Sequence, residues 1–480
     1  MPPRLPLSST GTPSPFCLQC LQQSLSTIQP VHRAAFSSSS RLAANPPKKK
    51  GAVAKPIHRQ GRTLRLSKGK REGGSGRPPA VGERKAFRKR VVLSNTNALE
   101  VPNLKELGAS NVDTGSVRAS KGQVLAFANE SVDNLRALEG FKPTQGWSQF
   151  RRPATLVREE TVQLAEKLDE ASLKKTVREV IHGPRGSGKS VLQLQGLALA
   201  SLRGFVIIHI PEARDIVNAH TSYEPVETAF RTLYSQPHYT AQLLANVARA
   251  NHHILSKLQL GLKHELPIPI QQNITLQRFA ELGASDTDIS VPVWRALWLE
   301  LTATSSNSAG GLQRPPLYIS MDGADHAMRD SAYLNSEAKP IHAHDLTLIN
   351  DFVSVLSGKR PLPNGGMVVA ALSESNRAST PTLDFCLARI HARRQGEELQ
   401  KPDAFLAWDE RIFNAILAKG LSVKRLSGLT KEEAKGVMEY YAQSGVMRAS
   451  VTPGLIGEKW SLAGGGIIGE LEKAAVSMRF

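Results

Sequence analysis

Apolar positions along the chain follow two periods. Short runs at 205–210, 317–321 and 367–372 are almost wholly apolar or β-branched, 177–181 is so apart from Arg178 and Glu179, and all four read as buried strands. Longer stretches between them carry apolar residues at helical spacing. Leu156, Val157, Leu164 and Leu168 do so within 156–170, and the pattern returns at 191–202, at about 238–258 and at 291–303. Buried strands separated by helices predict an α/β fold built on a parallel sheet. From about residue 400 the pattern reads mostly helical. Thr430-Lys431-Glu432-Glu433 is a capping box that opens a helix through Val437, Met438, Tyr440 and Tyr441, and Gly445 sits where that helix stops. These patterns divide the folded part into an extension at 91–155 that packs on the core, a core domain at 156–400 and a helical C-terminal subdomain at 401–480. No run approaches the roughly 18 consecutive apolar residues of a membrane span, so no membrane insertion is expected.

Charge changes the picture at the N-terminus. The net charge is +19, and residues 1–90 hold 19 Lys and Arg against two acids, Glu72 and Glu83. The remaining 390 residues are nearly neutral, with 42 bases and 40 acids. Residues 1–45 have no acid, contain Arg4, Arg33 and Arg41, and are rich in Ser, Leu and Ala, the composition of a mitochondrial transit peptide. Residues 46–90 are rich in Lys, Arg, Gly and Pro and cannot bury enough apolar surface to fold alone. Such a disordered basic arm suits a phosphate backbone, and with Phe87 its only aromatic residue it suits backbone contact rather than base stacking. Three cysteines exclude a disulfide framework. Cys17 and Cys20 lack a second ligand pair for zinc, and Cys386 reads as a buried small apolar residue. His342, His344 and Asp345 have no partner at metal-ligand spacing.

The chemistry is concentrated in one motif. Gly183-Pro184-Arg185-Gly186-Ser187-Gly188-Lys189-Ser190 fits G-x-x-x-x-G-K-[ST], with a strand pattern before it and a helix pattern after it. The glycines let the backbone wrap phosphates, the loop amides and helix N-terminus face negative charge, and Lys189 adds a cation there. The Ser190 hydroxyl is a ligand for Mg²⁺. A second magnesium acid is expected at Asp322, which ends the run at 317–321. Gly323 follows it where many ATPases carry a catalytic Glu, and Asp325 is displaced from that place. Beyond the strand at 367–372, Ser373 or Asn376 is placed to sense a γ-phosphate, and Arg185 is placed to touch phosphate.

Together these segments resemble the death-associated protein 3 family, GTP-binding components of the small subunit of the mitochondrial ribosome. The resemblance covers about 120–480. It rests on the loop 183–190, on Val206-Ile207-Ile208-His209-Ile210-Pro211, on Ser235-Gln236-Pro237 and on Met321-Asp322-Gly323. It continues in Gly428-Leu429-Thr430-Lys431-Glu432-Glu433-Ala434 and in Lys459-Trp460-Ser461-Leu462-Ala463-Gly464-Gly465-Gly466. It implies a P-loop NTPase domain like those of the AAA and signal-transduction (STAND) ATPases, with a helical C-terminal part. It implies a place in the mitochondrial matrix, among ribosomal RNA and neighbouring ribosomal proteins, with no homo-oligomer. It also implies a bound guanine nucleotide, GTP or GDP with Mg²⁺, that is mainly structural. The sequence lacks the N-K-x-D run that reads guanine, so its residues do not exclude ATP. Gly323 fits at most a slow GTPase. The alternative is a mitochondrial AAA-type ATPase that remodels protein or nucleic acid, which needs a base near Asp322 and an arginine from a neighbouring subunit.

Overall fold

A computed structural model describes residues 91–476, apart from 229–230, 272, 306–311, 399–400, 403–404 and 406. The transit peptide and basic arm expected at 1–90 lie outside the described residues.

The core is a five-stranded parallel sheet. Its strands are β1 (Thr176–His182), β2 (Val206–Ile210), β3 (Leu317–Asp322), β4 (Gly366–Ala371) and β5 (Leu421–Arg425), in the order β5-β1-β4-β3-β2. Every residue of β2, β3 and β4 is buried, which is why these segments read as unbroken apolar runs. Register decides where the site lies. Ile181 pairs with Ala371, Ala371 with Asp322, and Met321 with Ile210. The carboxyl ends of β1, β4, β3 and β2 are therefore level, and the loops leaving them share one edge. Ligands of parallel sheets bind in the crevice outside that edge.

Both faces are covered. On one, the helices Pro237–Ala250, Leu276–Ser285 and Thr287–Thr302, inserted between β2 and β3, pack with Thr347–Leu356 over Ile208, Ile319 and Val368. On the other, Glu159–Ser172 and Lys189–Leu202 pack over Ile181, Ile207, Tyr318 and Val369. The extension at 91–155 joins this second face. It forms a small sheet of Glu106–Leu107, Val124–Phe127 and Ala154–Leu156, and its Leu125, Phe127, Leu135 and Leu138 share a core with Leu194 and Leu197. The C-terminal helices Lys431–Gln443, Pro453–Leu462 and Ile468–Ala475 close a third cluster with Phe150 and Leu156.

The four expected strands all form. Three differences have local causes. Leu156, expected to start a helix, instead pairs with Val124 in a strand. The helix begins at Glu159, where the Arg158 amide donates to Thr161 Oγ1. The helix expected over about 238–258 breaks after Ala250, because the Asn251 side chain bonds both backbone groups of Ile207 at 2.7 and 2.9 Å. The C-terminal section, expected to be helical, also supplies β5, a strand only half-buried and paired on one edge to β1. The capping box at Thr430 forms as expected, with Thr430 N donating to Glu433 Oε2 at 2.9 Å and Glu433 N to Thr430 Oγ1 at 3.2 Å. Among the described residues no helix is long and apolar enough to cross a membrane.

Candidate functional site

The loop 183–190 leaves β1 and enters the helix Lys189–Leu202. Gly183, Gly186 and Gly188 have φ of +151°, +78° and +94°, a backbone that L side chains rarely adopt. Close packing adds to the demand at Gly183, where a Cβ would lie 2.3 Å from the Leu426 carbonyl oxygen. The Lys189 ammonium donates to Gly183 O at 2.7 Å and to Pro184 O at 3.0 Å, which keeps the loop folded over its own lysine. Burial lowers the pKa of Lys189, while the acids Glu374, Asp322 and Asp325 oppose that shift.

Two elements that carry no motif hold the loop from outside. Arg158 is buried and donates through Nη1 to Ser187 O at 2.8 Å and through Nη2 to Ser427 O at 2.9 Å. The left-handed run Gly464, Gly465 and Gly466 turns the chain back, so that Gly469 N donates to Gly186 O at 2.9 Å. A Cβ on Gly469 would stand 3.2 Å from the Gly186 Cα. The C-terminal helix Ile468–Ala475 is thereby a wall of the same site.

That site is a cavity of about 1190 Å³. Arg185, Gly186, Gly188, Lys189 and Ser190 line one part of it, and Asp322, Gly323, Ser373, Glu374 and Asn376 line the sheet edge. Five of the eight predicted loop residues thus share one cavity with Asp322. Gly183, Pro184 and Ser187 do not line it: Pro184 is exposed, and the Ser187 hydroxyl is buried without a hydrogen-bond partner. Ser373 lies at the cavity, and its backbone amide donates to Asp325 Oδ1 at 2.7 Å. Asp325 also accepts from Ala378 N at 3.0 Å, so it clamps the loop after β4 at both ends. His326 adds a 2.7 Å bond from Nε2 to Asn376 O. Elsewhere, His342 Nε2 lies 2.9 Å from Asp409 Oδ2, and Cys386 is buried with its thiol pushed up to about 12.

The sequence reading missed the surroundings of Asp322. Lys142, from the N-terminal extension, pairs with Asp322 Oδ2 and stands 3.7 Å from Glu212 Oε2. Glu212 follows β2 and Pro211, so the two acids leave neighbouring strands. Burial pushes the Lys142 ammonium down, but Asp322 and Glu212 outweigh it and the pKa is raised. Burial raises the Glu212 carboxyl, against the pull of Lys142. Gly323 is left-handed at φ +66°, and a Cβ there would stand 3.0 Å from Glu212 Oε1. Behind this cluster the His209 ring bonds Ser320 Oγ at 2.6 Å, and burial pushes it down to about 4, so it is neutral. No motif marks Lys142 in the sequence. An acid one residue beyond a strand-ending proline was the available signal for Glu212.

Elsewhere on the cavity wall the lining is aromatic. Phe150 packs against Tyr440 and Tyr441 with ring centroids 5.1 and 5.7 Å apart, and all three face the cavity. One turn beyond Gly469, Glu472 faces it too, its carboxyl pushed up by burial.

Residues 155–474 match the model of the family described as mitochondrial ribosomal death-associated protein 3. The chain belongs to this family. It is 40% identical over 419 residues to the small ribosomal subunit protein mS29 of Neurospora crassa, covering 86% of this chain and 87% of that one. It is 24% identical over 337 residues to the protein of the same description in Schizosaccharomyces pombe, covering 68% of this chain and 66% of that one. Membership of this mitochondrial family makes the chain a mitochondrial protein.

Proposed function

We propose that the chain holds a guanine nucleotide at the loop 183–190, mainly as a structural cofactor, within the small subunit of the mitochondrial ribosome. As a member of its family the chain is a structural constituent of that subunit, among ribosomal RNA and protein neighbours. The observation that carries the nucleotide reading is the loop itself. Three positive-φ glycines shape it, Lys189 and Ser190 open the helix, and Gly186, Gly188, Lys189 and Ser190 line one cavity with Asp322.

The residues present fit a P-loop NTPase site for a triphosphate with magnesium. The loop amides and Lys189 would take the phosphates, and Ser190 and Asp322 would hold the metal. Magnesium, when bound, would neutralise phosphate charge. The residue after Asp322 offers no carboxylate, and Asp325 is spent on the loop after β4, in line with slow or absent turnover. A ligand that binds only the folded chain stabilises it by about 2.7 kcal/mol at hundredfold excess over Kd. The choice of guanine over adenine follows the family resemblance, since no residue pattern here reads the base.

The test is sedimentation of a mitochondrial lysate, with nucleotide extracted from the peak that carries this chain. Co-migration with the small subunit and a retained guanine nucleotide is expected, and Lys189→Ala is expected to lower both nucleotide content and assembly. A free or hexameric species carrying adenine nucleotide would overturn the reading in favour of a remodelling ATPase. Normal assembly of Lys189→Ala with an empty site would overturn the cofactor role.

A further inference from the structure

The acid side of the cavity already contains a cation, and the chain supplies it. Asp322 and Glu212 are carboxylates on neighbouring strand ends, the Asp322 side chain is only 6% exposed, and Lys142 pairs with both. A carboxylate as buried as Asp322 needs a positive partner, whereas Glu212 is 40% exposed and shares the same lysine. In triphosphate sites a divalent metal commonly fills that role.

Lys142 is held in place from several sides. Phe141 is packed edge-on between Phe127 and Trp147, with centroids 6.2 and 5.3 Å away. Gln145 Oε1 accepts from Lys142 N at 2.9 Å and from Trp147 Nε1 at 2.7 Å, which fixes the turn. Gly140 lets this segment lie on the P-loop helix, since a Cβ there would come 2.9 Å from Leu194 Cδ1. The lysine is therefore tied to the same helix that carries Lys189.

We propose that Lys142 is a built-in counter-ion for Asp322 and Glu212, so that nucleotide binding at the loop depends little on magnesium. This rests on the nucleotide reading above and deepens it. A metal ion reaching Asp322 competes with the ammonium for that carboxylate, because the two cations repel. Asp322 then has a cation in either state, Lys142 without metal and magnesium with it. A bound triphosphate meets a neutralised acid in both. Glu212 fills the space beside Gly323, and its carboxylate is shared with Lys142.

The experiment is a calorimetric titration of the purified protein with GTP, in excess Mg²⁺ and in excess EDTA, for the wild type, Lys142→Met and Lys142→Arg. Wild type and Lys142→Arg are expected to change affinity by less than about threefold on metal removal. Lys142→Met is expected to lose at least about tenfold in EDTA, the scale of one charge-assisted contact, and to recover in Mg²⁺. A wild type whose binding collapses in EDTA would overturn the proposal, and this arm needs no variant to fold. So would Lys142→Met with the metal insensitivity of the wild type. Failure of every protein to bind GTP in Mg²⁺ would instead overturn the nucleotide reading, and the counter-ion proposal with it.

Discussion

The two sides of the cavity are built differently. The phosphate side is one run of eight residues, 183–190, whose shape comes from backbone: three glycines at positive φ and a lysine bonded to its own loop carbonyls. The acid side is drawn from three separate segments, Lys142, Glu212 and Asp322, which only the sheet register and the packing of the extension bring together. Backbone shape can be written into consecutive residues, whereas charge balance is a property of the folded state. The phosphate side therefore has a signature and the acid side has none. The two also differ in what they offer a ligand. Among the described residues, one carries a lysine with no acid paired to it, and the other sets one lysine against two acids.

Substitutions on each side sharpen the contrast. The largest effect is expected for Gly183→Ala. Its Cβ would meet the Leu426 carbonyl at 2.3 Å in a backbone that disfavours any side chain. A loss of more than about 3 kcal/mol is expected from chemical denaturation, together with loss of nucleotide binding. A stable variant would mean that β5 does not fix the loop.

Asp322→Asn comes next. It removes one of the two acids that pair with Lys142 and is expected to cost about 2 kcal/mol, within the range for a hydrogen bond to a charged group. Combined with Lys142→Met it should cost less than the two single changes added, because the lost contact is shared. Strict additivity in denaturant unfolding would show that the pair is not coupled.

The smallest effect is in acid. His209 lies behind the acid cluster with its folded pKa pushed down to about 4, below its ordinary 6.5. The unfolded chain binds that proton first, so the contribution of His209 is complete above pH 6.5 and is lost as pH falls towards about 4. His209→Asn should show a shallower fall of thermal midpoint over that window than the wild type. Parallel curves would show that His209 carries none of it.

Much of this was legible in the sequence, for a physical reason in each case. β3 and β4 are buried on both faces, so continuous apolar runs were enough to find them. Asp322 ends β3, and the loop that follows β1 carries its own motif. β5 escaped because an edge strand, half exposed, needs no apolar run; its Leu421-Ser422-Val423-Lys424-Arg425 pattern reads as a loop beside helices. Arg158 and Gly469 escaped because they act through backbone carbonyls of the loop, a role that any chain position can fill. Asp325, set aside as displaced from Asp322, turned out to hold the Ser373 segment in place.

All of this turns on the loop 183–190 being a working nucleotide site. Equilibrium dialysis of the purified chain against labelled GTP, beside Lys189→Ala, tests it most directly. Saturable binding of one nucleotide per chain is expected, with a loss of about tenfold or more in affinity on removing the lysine ammonium, the range of a charge-assisted contact. No binding by the wild type, or equal binding by Lys189→Ala, would contradict it.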